Sequence, residues 1–140
     1  SMYFNATAFF IVYHASAVVL MRRIRSMTFG WAPLARTLSW AMIVGAVSLF
    51  WAWGETAFYF KLADNDFANV WYEDLDRMLA YGSWFYALYF VVAFPIVYRL
   101  DEDAAGERWS VGRVLIEASA VGMLTLLLID LATWTVGGKL

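Results

Sequence analysis

Four apolar runs divide the chain, at residues 3–21, 37–60, 79–98 and 111–136. Each reaches the roughly 20 residues needed to cross a bilayer as a helix. The stretch YGSWFYALYFVVAFPIVY at 81–98 carries no charge and has Pro95 near its end. A soluble helix would alternate an apolar stripe with a polar face, and this one has no polar face. The pattern predicts an all-α polytopic membrane protein, with four transmembrane helices in one bundle. There is no internal repeat, low-complexity tract or domain boundary, so residues 3–140 read as a single domain. Ser1 and Met2 read as a tag scar. No secretory signal is expected, because the first run is followed by RRIR rather than preceded by positive charge.

The charges between the runs orient them. Arg22, Arg23, Arg25 and Arg36 lie between the first two runs, and Arg99, Arg108 and Arg113 between or at the edges of the last two. The opposite side holds Lys61, Arg77 and Lys139. The excess predicts both termini on the non-cytoplasmic side. That would be the endoplasmic reticulum membrane in a eukaryote and the inner membrane in a bacterium. The acidic segment between Lys61 and Arg77, with Trp71 and Tyr72, is expected to cap the bundle on that side.

Composition narrows the chemistry. The chain is 63% hydrophobic and 19% aromatic, above the roughly 45–50% apolar content of an average globular chain. Membrane lipids are therefore its expected surroundings. There is no cysteine and one histidine, His14. These exclude a thiolate or multi-histidine zinc site and a bis-histidine haem within this chain. A net charge of −2 offers no basic footprint for nucleic acid. Asp64, Asp66, Glu73, Asp74 and Asp76 lack the spacing of a calcium loop and read as a solvated segment. Either Asp74 or Asp76 suits the start of the third span through the helix dipole. No cofactor and no metal are expected. The Asn5-Ala6-Thr7 sequon sits at the start of a span and is discounted.

Four ionisable groups fall inside the spans: His14, Glu55, Glu117 and Asp130. Such groups are costly in a bilayer and are candidates for function, although some serve only to hydrogen-bond a neighbour and fix helix register. At 1.5 Å of rise per residue, Glu55 and Asp130 both lie roughly 10 Å from the middle of their spans, toward the non-cytoplasmic side. Spans two and four are thus expected to present two carboxyls at one level. Glu117 lies toward the other side, and His14 near the middle of span one. Gly45, Ser48, Ala52, Glu55 and Tyr59 recur at three- and four-residue spacing, as do Gly82, Tyr86, Tyr89 and Ala93. Small and polar stripes of this kind face other helices. Glu55 and Asp130 are the candidate catalytic pair. Tyr59, Tyr86, Tyr89, Trp51, Trp53 and His14 are the candidate lining. Packing alone also accounts for aromatic stripes, and Trp31, Trp40 and Trp109 read as interfacial belt.

An apolar setting disfavours the charged form of a carboxyl, which suits it to donate a proton. Aromatic faces stabilise a cation without attacking it. With a second group to take a proton back, these parts suit isomerisation of an apolar substrate through a carbocation.

Several segments carry a resemblance. GSWFYALYFVVAFPIVYRLDED at 82–103 is similar to the cycloeucalenol cycloisomerase family, the cyclopropyl sterol isomerases of plants. That family has a G-S-x-F-Y-A-x-Y-F-x-V-x-F-P run followed by R-x-D-E. GETAFY at 54–59, WYED at 71–74, WSVGRV at 109–114, ML at 123–124 and LIDLATW at 128–134 match further pieces in order. The resemblance covers roughly residues 40–134 and corresponds to the C-terminal half of the longer family members. It implies sterol biosynthesis, with a sterol or another polycyclic lipid as substrate. In the implied reaction, an acid protonates C19 of a 9β,19-cyclopropyl sterol, charge develops at C9, and loss of the C8 proton leaves a Δ8 double bond. Glu55 is the expected acid and Asp130 its partner, with the tyrosines and Trp53 along the cation. Arg99, Asp101 and Glu102 are expected to form a salt-bridged turn that fixes the following loop. Two other readings use the same parts: a non-catalytic sterol- or lipid-binding membrane protein, and a subunit of a proton-coupled transporter. A homodimer would answer the objection that four spans are few for transport.

Overall fold

The computed structural model describes residues 2–58, 73–102 and 108–136, with side chains at 7–58, 73–100 and 108–135. Helix α1 spans Met2–Met27 and α2 spans Pro33–Ala57. A three-residue turn of helix, α3 at Leu75–Arg77, runs through a π-helical segment, Met78–Gly82, into α4 at Ser83–Glu102. Helix α5 spans Val111–Val136. Among the described residues, four helices are long and apolar enough to cross a membrane. The chain is an integral, all-helical membrane protein, and no strand occurs among the described residues.

Local chemistry sets the helix ends. Pro33 opens α2, where its missing N–H costs nothing and its fixed φ suits the first turn. The link before it is closed by Thr28, whose hydroxyl donates to the Ile24 carbonyl at 2.8 Å and whose carbonyl accepts from the Trp31 N–H at 3.0 Å. Asp74 caps α3 by accepting from the Arg77 N–H at 2.9 Å, so the acidic start expected of the third span takes the form of an N-cap. Ser110 does the same for α5, accepting from the Arg113 N–H at 3.2 Å. Helix α1 runs past Arg22, Arg23 and Arg25, six residues beyond the last apolar position of the first run. Long arginine side chains reach the interface from a continuing helix, so charge does not end it.

Helix α4 is the centre of the molecule. It packs on α1, α2 and α5, and α1 packs on α2. The core is built from Tyr13, Ala17, Val18 and Met21 of α1, Val44, Val47 and Ala52 of α2, and Ala87, Phe90, Phe94 and Tyr98 of α4. Alanines bring the backbones close, and the rings fill the space between them. Helix α5 contributes nothing to this cluster and leans on α4 from outside. The bundle is therefore a three-helix core with a fourth helix at its edge. Spans two and four do not face one another across it. Lipid-exposed Leu, Ile and Met surround α5, and a bilayer does not force such a surface to be buried.

The arginine-rich end is tied by side chains. Arg25 Nη1 donates to the Tyr98 hydroxyl at 3.3 Å. Arg99 pairs with Glu117 of α5 at 3.5 Å, and the Arg113 guanidinium lies 4.1 Å from the centre of the Trp109 ring. The salt bridge expected of Arg99 thus runs between helices to Glu117. Asp101 and Glu102 continue α4 instead of forming a turn, and their side chains lie outside the description. With Arg99 half-exposed, this pair is worth little more than about 1 kcal/mol.

Candidate functional site

The site begins with Glu55. It lies in the last turn of α2, half-buried, on the stripe that also carries the buried Ser48 and Ala52. Across from it, Tyr86 of α4 donates its hydroxyl to Glu55 Oε2 at 2.7 Å. Tyr86 is placed there by what precedes it. The π-helical segment Met78–Gly82 adds a residue's worth of rotation before α4 starts, and Ser83 Oγ steadies it by donating to the Met78 carbonyl at 3.2 Å. Gly82 lies against the Met78 side chain, where a Cβ would collide with the sulfur. The π segment is thus packed on itself next to the functional pair, a common location for such segments.

Tyr86 leads into an aromatic wall. Its ring lies 5.0 Å from Phe90, which is wholly buried. Phe90 in turn meets Phe94 at 4.9 Å, Tyr89 at 5.2 Å and Tyr13 at 5.8 Å. His14 of α1 closes the wall, with its ring centre 5.3 Å from Phe94 and 6.4 Å from both Tyr89 and Phe90. Its Nδ1 is 2.7 Å from the Phe10 carbonyl. A hydroxyl donor and its carboxyl partner therefore stand at one end of a packed aromatic cluster, and an imidazole stands at its other side.

The remaining sequence candidates fall elsewhere. Asp130 is exposed on α5, whose main packing among the described residues is on α4, whereas Glu55 meets Tyr86 between α2 and α4. Their similar depth was legible from rise per residue, but the order of helices around the bundle was not. Trp51 is a bolt between helices. Its ring lies 4.3 Å from Tyr13, and its Nε1–H donates to Ser16 Oγ at 3.0 Å. Trp53 is 50% exposed on the outer face of α2, away from the cation surface proposed for it. Tyr89 turns to α1, edge-on to Phe10 at 5.8 Å. Tyr59 lies outside the described residues. Glu117 sits at the arginine-rich end, far along the bundle from Glu55, as its position in the span implied. No cluster of three or more metal-ligating side chains occurs among the described residues.

Comparison with known proteins agrees with the sequence motifs. The chain is 35% identical over 125 residues to cycloeucalenol cycloisomerase of Arabidopsis thaliana. The match covers 87% of this chain and 41% of that relative, so the chain spans less than half of its length. No protein-family model matches, and no solved structure matches.

Proposed function

We propose that this chain forms part of a membrane-embedded sterol isomerase that opens a 9β,19-cyclopropane to a Δ8 double bond. The observation that carries the reading is the pairing of Glu55 with Tyr86 at the end of an aromatic wall within a transmembrane core. Similarity to a cycloisomerase over most of the chain supports the substrate class.

The roles follow from the geometry. The Tyr86 hydroxyl occupies Glu55 Oε2 and holds the carboxyl in one orientation, leaving Oε1 to carry and deliver the proton. That proton goes to C19, the C9–C19 bond breaks toward it, and C9 becomes electron-deficient. Tyr86 and the rings behind it present π-density that favours a cation over its neutral precursor. Loss of hydrogen from C8 completes an isomerisation that needs no oxidant or reductant. The substrate is lipophilic and reaches such a site from the bilayer. The positive-inside bias supports an orientation with both termini non-cytoplasmic, in the endoplasmic reticulum or a bacterial inner membrane.

The test is turnover. Membranes carrying the chain are incubated with a 9β,19-cyclopropyl sterol, and the Δ8 product is followed by mass spectrometry. Product above that of empty membranes is expected. Sterol retained without product would overturn the isomerase reading and leave a lipid-binding protein. The same assay separates the two carboxyls. Asp130→Asn is expected to change the rate by no more than a few-fold, because Asp130 does not reach the Glu55 pair. A loss from Asp130→Asn as deep as that from Glu55→Gln would restore a two-carboxyl mechanism.

A further inference from the structure

The end of the bundle where α1 turns into α2 carries positive charge that these two helices do not balance. Arg22, Arg23 and Arg25 lie in the last two turns of α1, and Arg36 lies in the first turn of α2. The first acidic residue of the chain is Glu55, in the last turn of α2. At 1.5 Å per residue it stands roughly 28 Å along that helix from Arg36. The neighbouring arginines are served differently. Arg99 and Arg113 share Glu117, at 3.5 and 4.0 Å. Arg25 leans on Tyr98, donating to its hydroxyl at 3.3 Å with the guanidinium 5.9 Å from the ring centre. Arg23 is exposed and Arg36 half-buried, and neither guanidinium has a hydrogen-bond or ion-pair partner among the described residues.

These two open arginines stand at one height. Arg23 is four residues before Met27, the last of α1, and Arg36 is three after Pro33, the first of α2, so both lie roughly 5–6 Å inside the turn. Helix α1 has 26 residues and is therefore roughly 39 Å long, longer than the roughly 30 Å of hydrocarbon in a bilayer. Its ends reach the headgroups. Between the arginines the turn is uncharged and apolar at its surface. Thr28 is buried and bonded back to Ile24, which fixes the turn, and the rings beyond it face outward. Phe29 is 81% exposed and Trp31 55%. Rings of this kind suit the level where acyl chains meet headgroups. The surface thus asks for two things at once, anions held in a plane and apolar chains beside them. A soluble anion brings no chain, and a zwitterionic lipid brings its own cation.

We infer that the α1–α2 turn is a binding surface for anionic phospholipid. Arg23 and Arg36 take headgroup phosphates, while Phe29 and Trp31 enter the boundary with the acyl chains. Four basic residues directly beyond a transmembrane helix match the pattern that recognises anionic headgroups, and guanidinium suits phosphate because it offers parallel N–H donors. The surface lies at the opposite end of α2 from Glu55, so it stands whatever chemistry Glu55 performs.

The test compares two lipids that differ only in headgroup. The purified chain in an uncharged detergent is titrated with phosphatidylglycerol or phosphatidylcholine of identical acyl chains, and bound lipid is counted by native mass spectrometry. Wild type is expected to prefer phosphatidylglycerol. An arginine at an anionic surface is worth roughly a fivefold preference, so Arg23→Gln with Arg36→Gln should lower the ratio of affinities roughly ten- to thirtyfold. A double variant with the wild-type ratio overturns the inference. So does inorganic phosphate that displaces the lipid at equal concentration, because the surface would then read a free anion. Wild type alone supplies the second measurement, which decides even where the variant fails to fold. Its preference should shrink as salt rises from roughly 0.05 to 0.5 M, since exposed charges are screened. A preference that salt leaves unchanged overturns the inference.

Discussion

Glu55→Gln loses on the order of 10²–10⁴-fold in sterol isomerisation while the protein remains folded. The two halves of that expectation have separate physical causes. The substitution removes the acidic proton, and an amide cannot protonate a cyclopropane at any useful rate. It keeps the oxygen that accepts from the Tyr86 hydroxyl at 2.7 Å, so the link between α2 and α4 survives. This separates catalysis from packing. If Glu55 served only to fix helix register, Gln would serve nearly as well and turnover would be untouched. Tyr86→Phe gives the complementary case. It leaves the acid but frees its orientation, and a hydrogen bond to a carboxyl of about 1.5–3 kcal/mol corresponds to roughly a ten- to hundredfold fall. The check is the initial rate of Δ8 product formation, normalised to folded protein by size-exclusion chromatography in detergent. A Gln variant at the wild-type rate would remove Glu55 from the mechanism.

Phe90→Ala is expected to be the most destabilising single truncation in the core, at about 3 kcal/mol. Phe90 is fully buried and meets rings from α1 and α4, including Tyr13, Tyr86 and Phe94. Soluble cores lose about 3–5 kcal/mol for such a change. The low end applies here because acyl chains are as apolar as the protein interior, so the loss is mainly of packing and not of transfer from water. Leu38→Ala is the control: Leu38 is 53% exposed on α2, and its truncation should stay within about 0.5 kcal/mol. The measurement is the unfolding midpoint in mixed micelles titrated with a denaturing detergent. Equal midpoints for Phe90→Ala and Leu38→Ala would mean that α1, α2 and α4 do not close around Phe90.

Both expectations concern a part of the chain that the sequence located well. The stripe of Gly45, Ser48, Ala52 and Glu55 marked one helix face, and Ser48 and Ala52 are fully buried while Glu55 meets Tyr86. The stripe worked because small residues permit close helix approach, and in a bilayer close approach is the main source of association. The same logic gave no purchase on α5. Its leucines, isoleucines and single methionine are spread over several faces of the helix, so no periodicity singles out a packed face. Equal depth brought Asp130 and Glu55 to one level, and nothing in the chain said that a third helix would separate them. The aromatic residues were ambiguous for another reason. Trp51, Trp53 and Tyr89 occupy similar sequence surroundings, yet one bolts α1 to α2, one faces outward and one turns to His14. Rings look alike in a hydropathy profile, and only their neighbours distinguish anchor from lining.

What the sequence determined by itself was the medium and the inventory. Apolar runs of spanning length oblige each segment to be a helix, because lipid offers no partner for free backbone groups. Their content supplied one histidine and a few intramembrane carboxyls as the only titratable candidates. The tertiary structure alone decided which of these act together. Depth along a helix follows from counting residues, but the angular order of helices in a bundle depends on side-chain fit among surfaces of nearly equal hydrophobicity. That fit put Tyr86 against Glu55, left Asp130 on the edge, and turned the Nδ1 of His14 to the Phe10 carbonyl of its own helix.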